Sequence, residues 1–147
     1  MQVWELTARE LVRDTIARYT HAGDRFRLEE LAACFTDDGV LEIKGRDPVR
    51  GRPAIVELLG GGSSGSPRTA VPGFFVRHFV ANVAFDQVTP DRIDASSYFL
   101  VVTDQGPDHW GRYRDVLRPV GDRWLLEHRL VAVDAVREGG WYAKRRP

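Results

Sequence analysis

The chain has a single cysteine, Cys34, so it can form no internal disulfide and no cysteine-based zinc cluster. Its formal net charge is zero, and no helix or strand carries a dense stripe of lysine and arginine, which argues against a nucleic-acid partner. No apolar run approaches the roughly 20 residues of a membrane span, and the N-terminus lacks a signal-peptide core. A cytoplasmic protein without a membrane partner is expected. Internal repeats are absent, and low complexity is confined to residues 60–73, where five glycines and three serines fall within fourteen positions. Such a segment buries too little to hold a fixed shape alone. A mobile loop is expected there, either as a lid over a pocket or as a tolerated surface insertion.

At 147 residues, 43% hydrophobic and 29% charged, the chain is sized for a single domain over residues 1–147 with a real core. The core is expected over about residues 7–134, with a loose tail at 135–147 whose aromatics could close a pocket or a dimer seam. Thr7 and Glu10 fit a capping box, followed by Val12, Ile16 and Tyr19/Thr20 at helical spacing. Gly23 loosens or ends that helix and leaves Asp24 at its C-terminal end, where the helix dipole disfavours a carboxylate. Leu28–Phe35 forms a second helix, Thr36–Gly39 a turn, Val40–Ile43 a short strand, and Gly51–Leu59 a third helix with Pro53 in its first turn.

The second half reads as strands at Phe74–Asp86, Ile93–Thr103, His109–Arg118 and Trp124–Asp134, joined by short turns. Consecutive strands with short turns pair as an antiparallel meander. Helices followed by long strands give an α+β fold, with a curved sheet against the helices and a concave face suited to a small molecule.

The stretch Phe74–Phe85 is almost wholly apolar, on both parities, with His78 in its middle. That pattern predicts a central strand covered on both faces. A buried imidazole needs a partner, because an unpaired buried polar group costs roughly 2–7 kcal/mol; Asp24 is the candidate. A carboxylate on one imidazole nitrogen fixes the tautomer and makes the other nitrogen a better base. Proton abstraction of that kind supports elimination, isomerisation or aldol-type closure with no cofactor. Two plainer readings remain open: Asp24 caps the next helix, or the pair only satisfies a buried histidine. His21, His78, His109 and His128 lie on separate elements without short ligand spacing, so no metal is expected. His21 and His109 are expected to be exposed, and of the adjacent His128 and Arg129 only one can face the cavity.

The segments RYTHAGDRFRLEELAACFTDDGVLEI, GRPAIVELL, RHFVANVAF, GRYRDVL and RWLLEHRLVAVD, in that order over about residues 8–134, resemble the SnoaL-like branch of the nuclear-transport-factor-two-like superfamily. The resemblance implies a cone-shaped curved, mixed or antiparallel sheet wrapped around the N-terminal helices, a central cavity, and a homodimer through the sheet. Lyases of this superfamily, among them scytalone dehydratase, a hexachlorocyclohexane dehydrochlorinase and a bile-acid dehydratase, use an Asp after the first helix and a His on the strand opening the meander. Asp24 and His78 match those positions. Tyr19 resembles the tyrosine that the bile-acid enzyme adds to its dyad, and Arg129 the pocket arginine of the dehydrochlorinase. Thr103 stands where scytalone dehydratase has a second pocket histidine, and Tyr113 where it has an asparagine. The implied function is a cofactor-independent lyase or isomerase of dehydratase or cyclase type on a small, largely apolar, ring-bearing substrate. His78 and Asp24 would be catalytic, with Tyr19, Tyr113, Arg129 and Thr103 binding substrate. A non-catalytic binding or assembly protein with the same cavity is the alternative, and a hydrolase using an activated water ranks third.

Overall fold

A computed structural model of the chain describes residues 1–61 and 72–145. The elements run α1 (Val3–Asp24), α2 (Leu28–Ala32), β1 (Phe35–Ile43), β2 (Val49–Arg50), α3 (Arg52–Gly60), β3 (Val76–Val88), β4 (Ile93–Thr103), β5 (Gly106–Val120), β6 (Arg123–Val136) and α4 (Trp141–Arg145). Six strands form one curved, unclosed sheet in the order β2-β1-β6-β5-β4-β3. Only β1–β6 is parallel; the other pairs are antiparallel. The α+β architecture is the expected one. Most of residues 60–73, the expected mobile loop, lie outside the described residues.

The helices sit on one face of the sheet because their apolar stripe has nowhere else to go. Val12, Ile16 and Tyr19 of α1 meet Leu31, Phe35, Leu41, Ile55, Leu117 and Leu126 in the main core. The buried Thr15 hydroxyl donates to the Trp124 carbonyl, joining α1 to β6. A second cluster, Val76, Phe99, Val101 and Tyr113, lies under β3–β5.

Several expectations are corrected. The first helix starts earlier, at Val3, with the capping box made by Gln2 and Glu5 rather than by Thr7 and Glu10. The second helix ends at Ala32, and the expected turn at Thr36–Gly39 is an irregular part of β1, which already pairs with β6 at Phe35. The tail is ordered through α4. The strand carrying His78 is the edge of the sheet, not its centre. Its apolar residues fall on both parities because register shifts between Ala81 and Ala84, where Asn82 has a φ of 55°. Val76, His78 and Val80 face inward before this bulge, and Val83 and Phe85 after it. A bulge adds one unpaired residue and so swaps the faces of everything beyond it. Phe79, between the inward residues, is 58% exposed.

Candidate active site

Asp24 is the last residue of α1, and the chain leaves the helix through a Schellman turn. Arg27 N–H donates to the Ala22 carbonyl at 2.9 Å and Phe26 N–H to the Gly23 carbonyl at 3.0 Å, with Phe26 at a φ of 57° in the left-handed position usually taken by glycine. Gly23 serves the packing instead. A Cβ there would lie 3.1 Å from Leu31 Cδ1, so its hydrogen lets α1 and α2 close up. A carboxylate at a helix C-terminus opposes the dipole, and the compensation comes from β3. His78 N–H donates to Asp24 Oδ2 at 2.9 Å, and His78 Nδ1–H to Asp24 Oδ1 at 2.5 Å. A carboxylate can only accept, so Nδ1 carries the proton and Nε2 is the nitrogen left for the cavity. The side chains of His78 and Asp24 are 21% and 10% exposed: shielded, yet open to a ligand.

His78 lines a cavity of about 260 Å³ between the helices and the concave face of the sheet. Its wall is chiefly apolar and aromatic, including Phe26, Leu31, Leu58, Phe99, Val131 and Trp141, with Tyr19 and Tyr113 as polar members. Burial holds the ionisation of both phenols above its ordinary range. For Tyr19 the nearby Arg129 opposes that rise; for Tyr113 the field of Tyr19 adds to it. Both therefore stand as neutral hydroxyls able to donate to a carbonyl or a developing oxyanion.

Arg129 faces inward from β6 but does not reach the cavity wall. It lies opposite Asp115 in the β5–β6 ladder and donates to it through Nε at 2.8 Å and Nη2 at 2.7 Å. Its guanidinium carbon is 4.2 Å from the Tyr19 ring centre and 4.0 Å from that of Tyr113. Burial alone would lower the Arg129 pKa; the Asp115 charge and hydrogen bonds more than offset it and raise it. A fully buried arginine needs a counter-charge, which Asp115 supplies through Nε and Nη2 while Nη1 has no hydrogen-bond partner among the described residues, so the expected substrate contact becomes a support behind the two tyrosines. Thr103 is buried at the end of β4 away from the cavity lining, its hydroxyl accepting from Gln105 N–H at 3.2 Å. His128 points the other way and meets Glu42. Among the described residues no three of His, Cys, Asp and Glu gather to hold a metal, and no helix is long and apolar enough to cross a membrane.

The family model for the SnoaL-like domain matches residues 4–130. The chain belongs to the SnoaL-like family. Solved structures agree. A Catenulispora acidiphila protein, solved in complex with S-DNPA, is 33% identical with a TM-score of 0.71, covering 86% of this chain and 92% of that one. ActVI-ORFA from Streptomyces coelicolor is 26% identical with a TM-score of 0.71, over 86% and 96% of the two chains. A scytalone dehydratase-like protein from Novosphingobium aromaticivorans has a TM-score of 0.74 at 20% identity, over 90% and 87%; at that identity the likeness shows the fold alone. No curated protein sequence matches the chain.

Within this SnoaL-like domain the structure brings together Asp24, His78, Tyr19 and Tyr113, and leaves Arg129 and Thr103 off the wall. It also adds residues that the sequence pattern did not single out. His109, expected to be exposed, is 5% exposed and lines the cavity. Its Nδ1–H donates to Asp108 Oδ2 at 2.8 Å, and its ring stacks on Tyr142 at 4.3 Å. Asp108, fully buried, also accepts from Trp141 N–H at 2.6 Å and Tyr142 N–H at 3.1 Å, which seats α4 against the cavity. Arg46 and Arg145 complete the lining. The adjacent pair Asp108–His109 was the available signal, split between what read as the end of a turn and the start of a strand.

Proposed function

We propose that the protein is a cofactor-independent lyase or isomerase, of dehydratase or cyclase type, acting on a small ring-bearing substrate. The observation that carries this reading is the imidazole of His78, clamped by Asp24 through both its ring and its backbone N–H at the wall of an apolar cavity. His78 Nε2 removes a proton from a carbon next to a substrate carbonyl, while Asp24 holds the tautomer and balances the imidazolium that forms. Tyr19 and Tyr113, kept neutral by burial, donate to the carbonyl oxygen as charge develops on it. Apolar walls and modest volume fit a compact ring system. Among the described residues, Arg46 and Arg145 are in the lining and no Asp or Glu is, which favours a neutral or anionic substrate over a cation. A second copy of the chain covers the outer face of the sheet.

The test compares wild type with Asp24→Asn on a panel of β-hydroxy aromatic ketones, with S-DNPA as a binding probe because a 33% identical protein was solved with it. Turnover falls by roughly 10²–10⁴-fold, the range for general acid–base groups, while probe binding is largely kept. Nitrogen NMR shows His78 protonated at Nδ1 in the wild type and a redistributed tautomer in the variant. A wild type that binds such ligands and turns none of them over supports the binding-protein reading instead.

A further inference from the structure

The sheet register places a second imidazole opposite the first. His78 pairs with Val101 across β3–β4, and Val101 pairs with His109 across β4–β5. Residues in one cross-strand row share a face, so His78 and His109 stand on the same concave surface with one strand between them. Two strand spacings put their backbones ~10 Å apart, and both line the one cavity. Each is held through Nδ1 by a carboxylate, His78 by Asp24 and His109 by Asp108. The two carboxylates come from unrelated places, the end of α1 and the start of β5. Tyr142 stacked on His109 and Phe99 at its edge, 5.9 Å between ring centres, fix the ring plane.

We propose that His109 is a second catalytic residue, the proton donor to the leaving group, working opposite the base His78. This rests on the lyase reading above and goes beyond it by dividing the acid and base work between two histidines. His78 Nε2 takes the hydrogen from the carbon beside the substrate carbonyl. That electron pair forms the new carbon–carbon double bond, and the carbon–oxygen bond to the β-hydroxyl breaks. The departing oxygen takes a proton from His109 Nε2 and leaves as water. His78 ends protonated and His109 neutral, and one proton returns from His78 to His109 through solvent before the next turnover. The Asp108 charge stabilises the imidazolium that His109 must become between cycles.

The test uses β-hydroxytetralone in deuterated water and follows two events: deuterium entering the carbon beside the carbonyl, and loss of the hydroxyl. Wild type eliminates. His78→Gln loses both events. His109→Gln still incorporates deuterium, but eliminates at least about 100-fold more slowly. Free imidazole restores elimination to His109→Ala, which keeps the inference falsifiable if glutamine disturbs the fold. Elimination by His109→Gln at the wild-type rate overturns this inference and leaves the proposed function standing. Loss of deuterium uptake along with elimination in folded His109→Gln also overturns it, since His109 then serves a step before the leaving group departs. A wild type that binds the probe but neither exchanges nor eliminates overturns both.

Discussion

Tyr19 and Tyr113 show how a residue's surroundings set its role. Both are buried, and both lie over the Arg129 guanidinium, yet desolvation dominates and keeps them neutral. The same burial gives a pH dependence of stability. A group whose ionisation is held above its unfolded value contributes stability that is fully present below that value and is lost as pH rises beyond it. For tyrosine the unfolded value is about 10, and Cys34, also raised by burial, acts in the same direction from slightly lower pH. The fold is therefore expected to lose stability progressively above about pH 9–10. Tyr113→Phe should flatten that fall, which urea melts on either side of the range would reveal. An equally steep alkaline decline in the variant would mean that Tyr113 is not held neutral by the fold.

At the scale of elements, irregularities rather than regular segments aim the site. The bulge at Asn82 turns Val83 and Phe85 inward to meet α1 while leaving His78 on the cavity side. Phe26 occupies a left-handed position, a strain of order 1–3 kcal/mol for such residues, and gains a place on the cavity wall beside Asp24. The β5–β6 pairing shifts register at Trp110/Gly111, and there a Cβ on Gly111 would stand 2.0 Å from the Ala132 carbonyl oxygen. The backbone itself must move to admit a methyl group. Gly111→Ala is expected to destabilise by about 3 kcal/mol or more, the upper end for overpacking, as read from the midpoint of chemical unfolding. Since His109 lies two residues away, the same variant should also disturb the seating of α4.

For the molecule as a whole, the outer face of the sheet mirrors the inner one. Next to the row His78–Val101–His109 runs the row Phe79–Leu100–Trp110 on the opposite face. Phe79 and Trp110 are 58% and 41% exposed, and Tyr98 nearby is 57% exposed. Aromatic residues gathered on one exposed sheet face mark an interaction surface, and at an edge strand they also invite pairing. The expected occupant is a second copy of this chain. Light scattering should give a dimer for the wild type and a monomer for Phe79→Glu; a wild-type monomer at micromolar concentration would remove the dimer from the account. Because these residues back directly onto the histidine row, dimerisation would also stiffen the strands that hold both imidazoles.

The order of helices and meander strands was legible in the sequence, and so was the pairing of Asp24 with His78. A helix end and a strand middle can be recognised locally, and a histidine among apolar residues requires a partner. Tyr19 and Tyr113 entered as site residues through the family resemblance, while helical spacing and strand parity only assigned them to faces. Parity also separated Arg129 from His128, but it could not say that Arg129 would be taken up by Asp115 rather than by a ligand. That depends on the β5–β6 register, a long-range quantity. The edge position of β3 and the burial of His109 belong to the same class. The strand pattern of Phe74–Phe85 is the same at the edge as at the centre once a bulge is allowed. His109 faces the cavity through the β3–β4–β5 register, and Asp108 seats α4 beside it. Local chemistry determined which residues could form the site; tertiary register decided which of them share a wall, because burial and partnership are settled between strands and not along them.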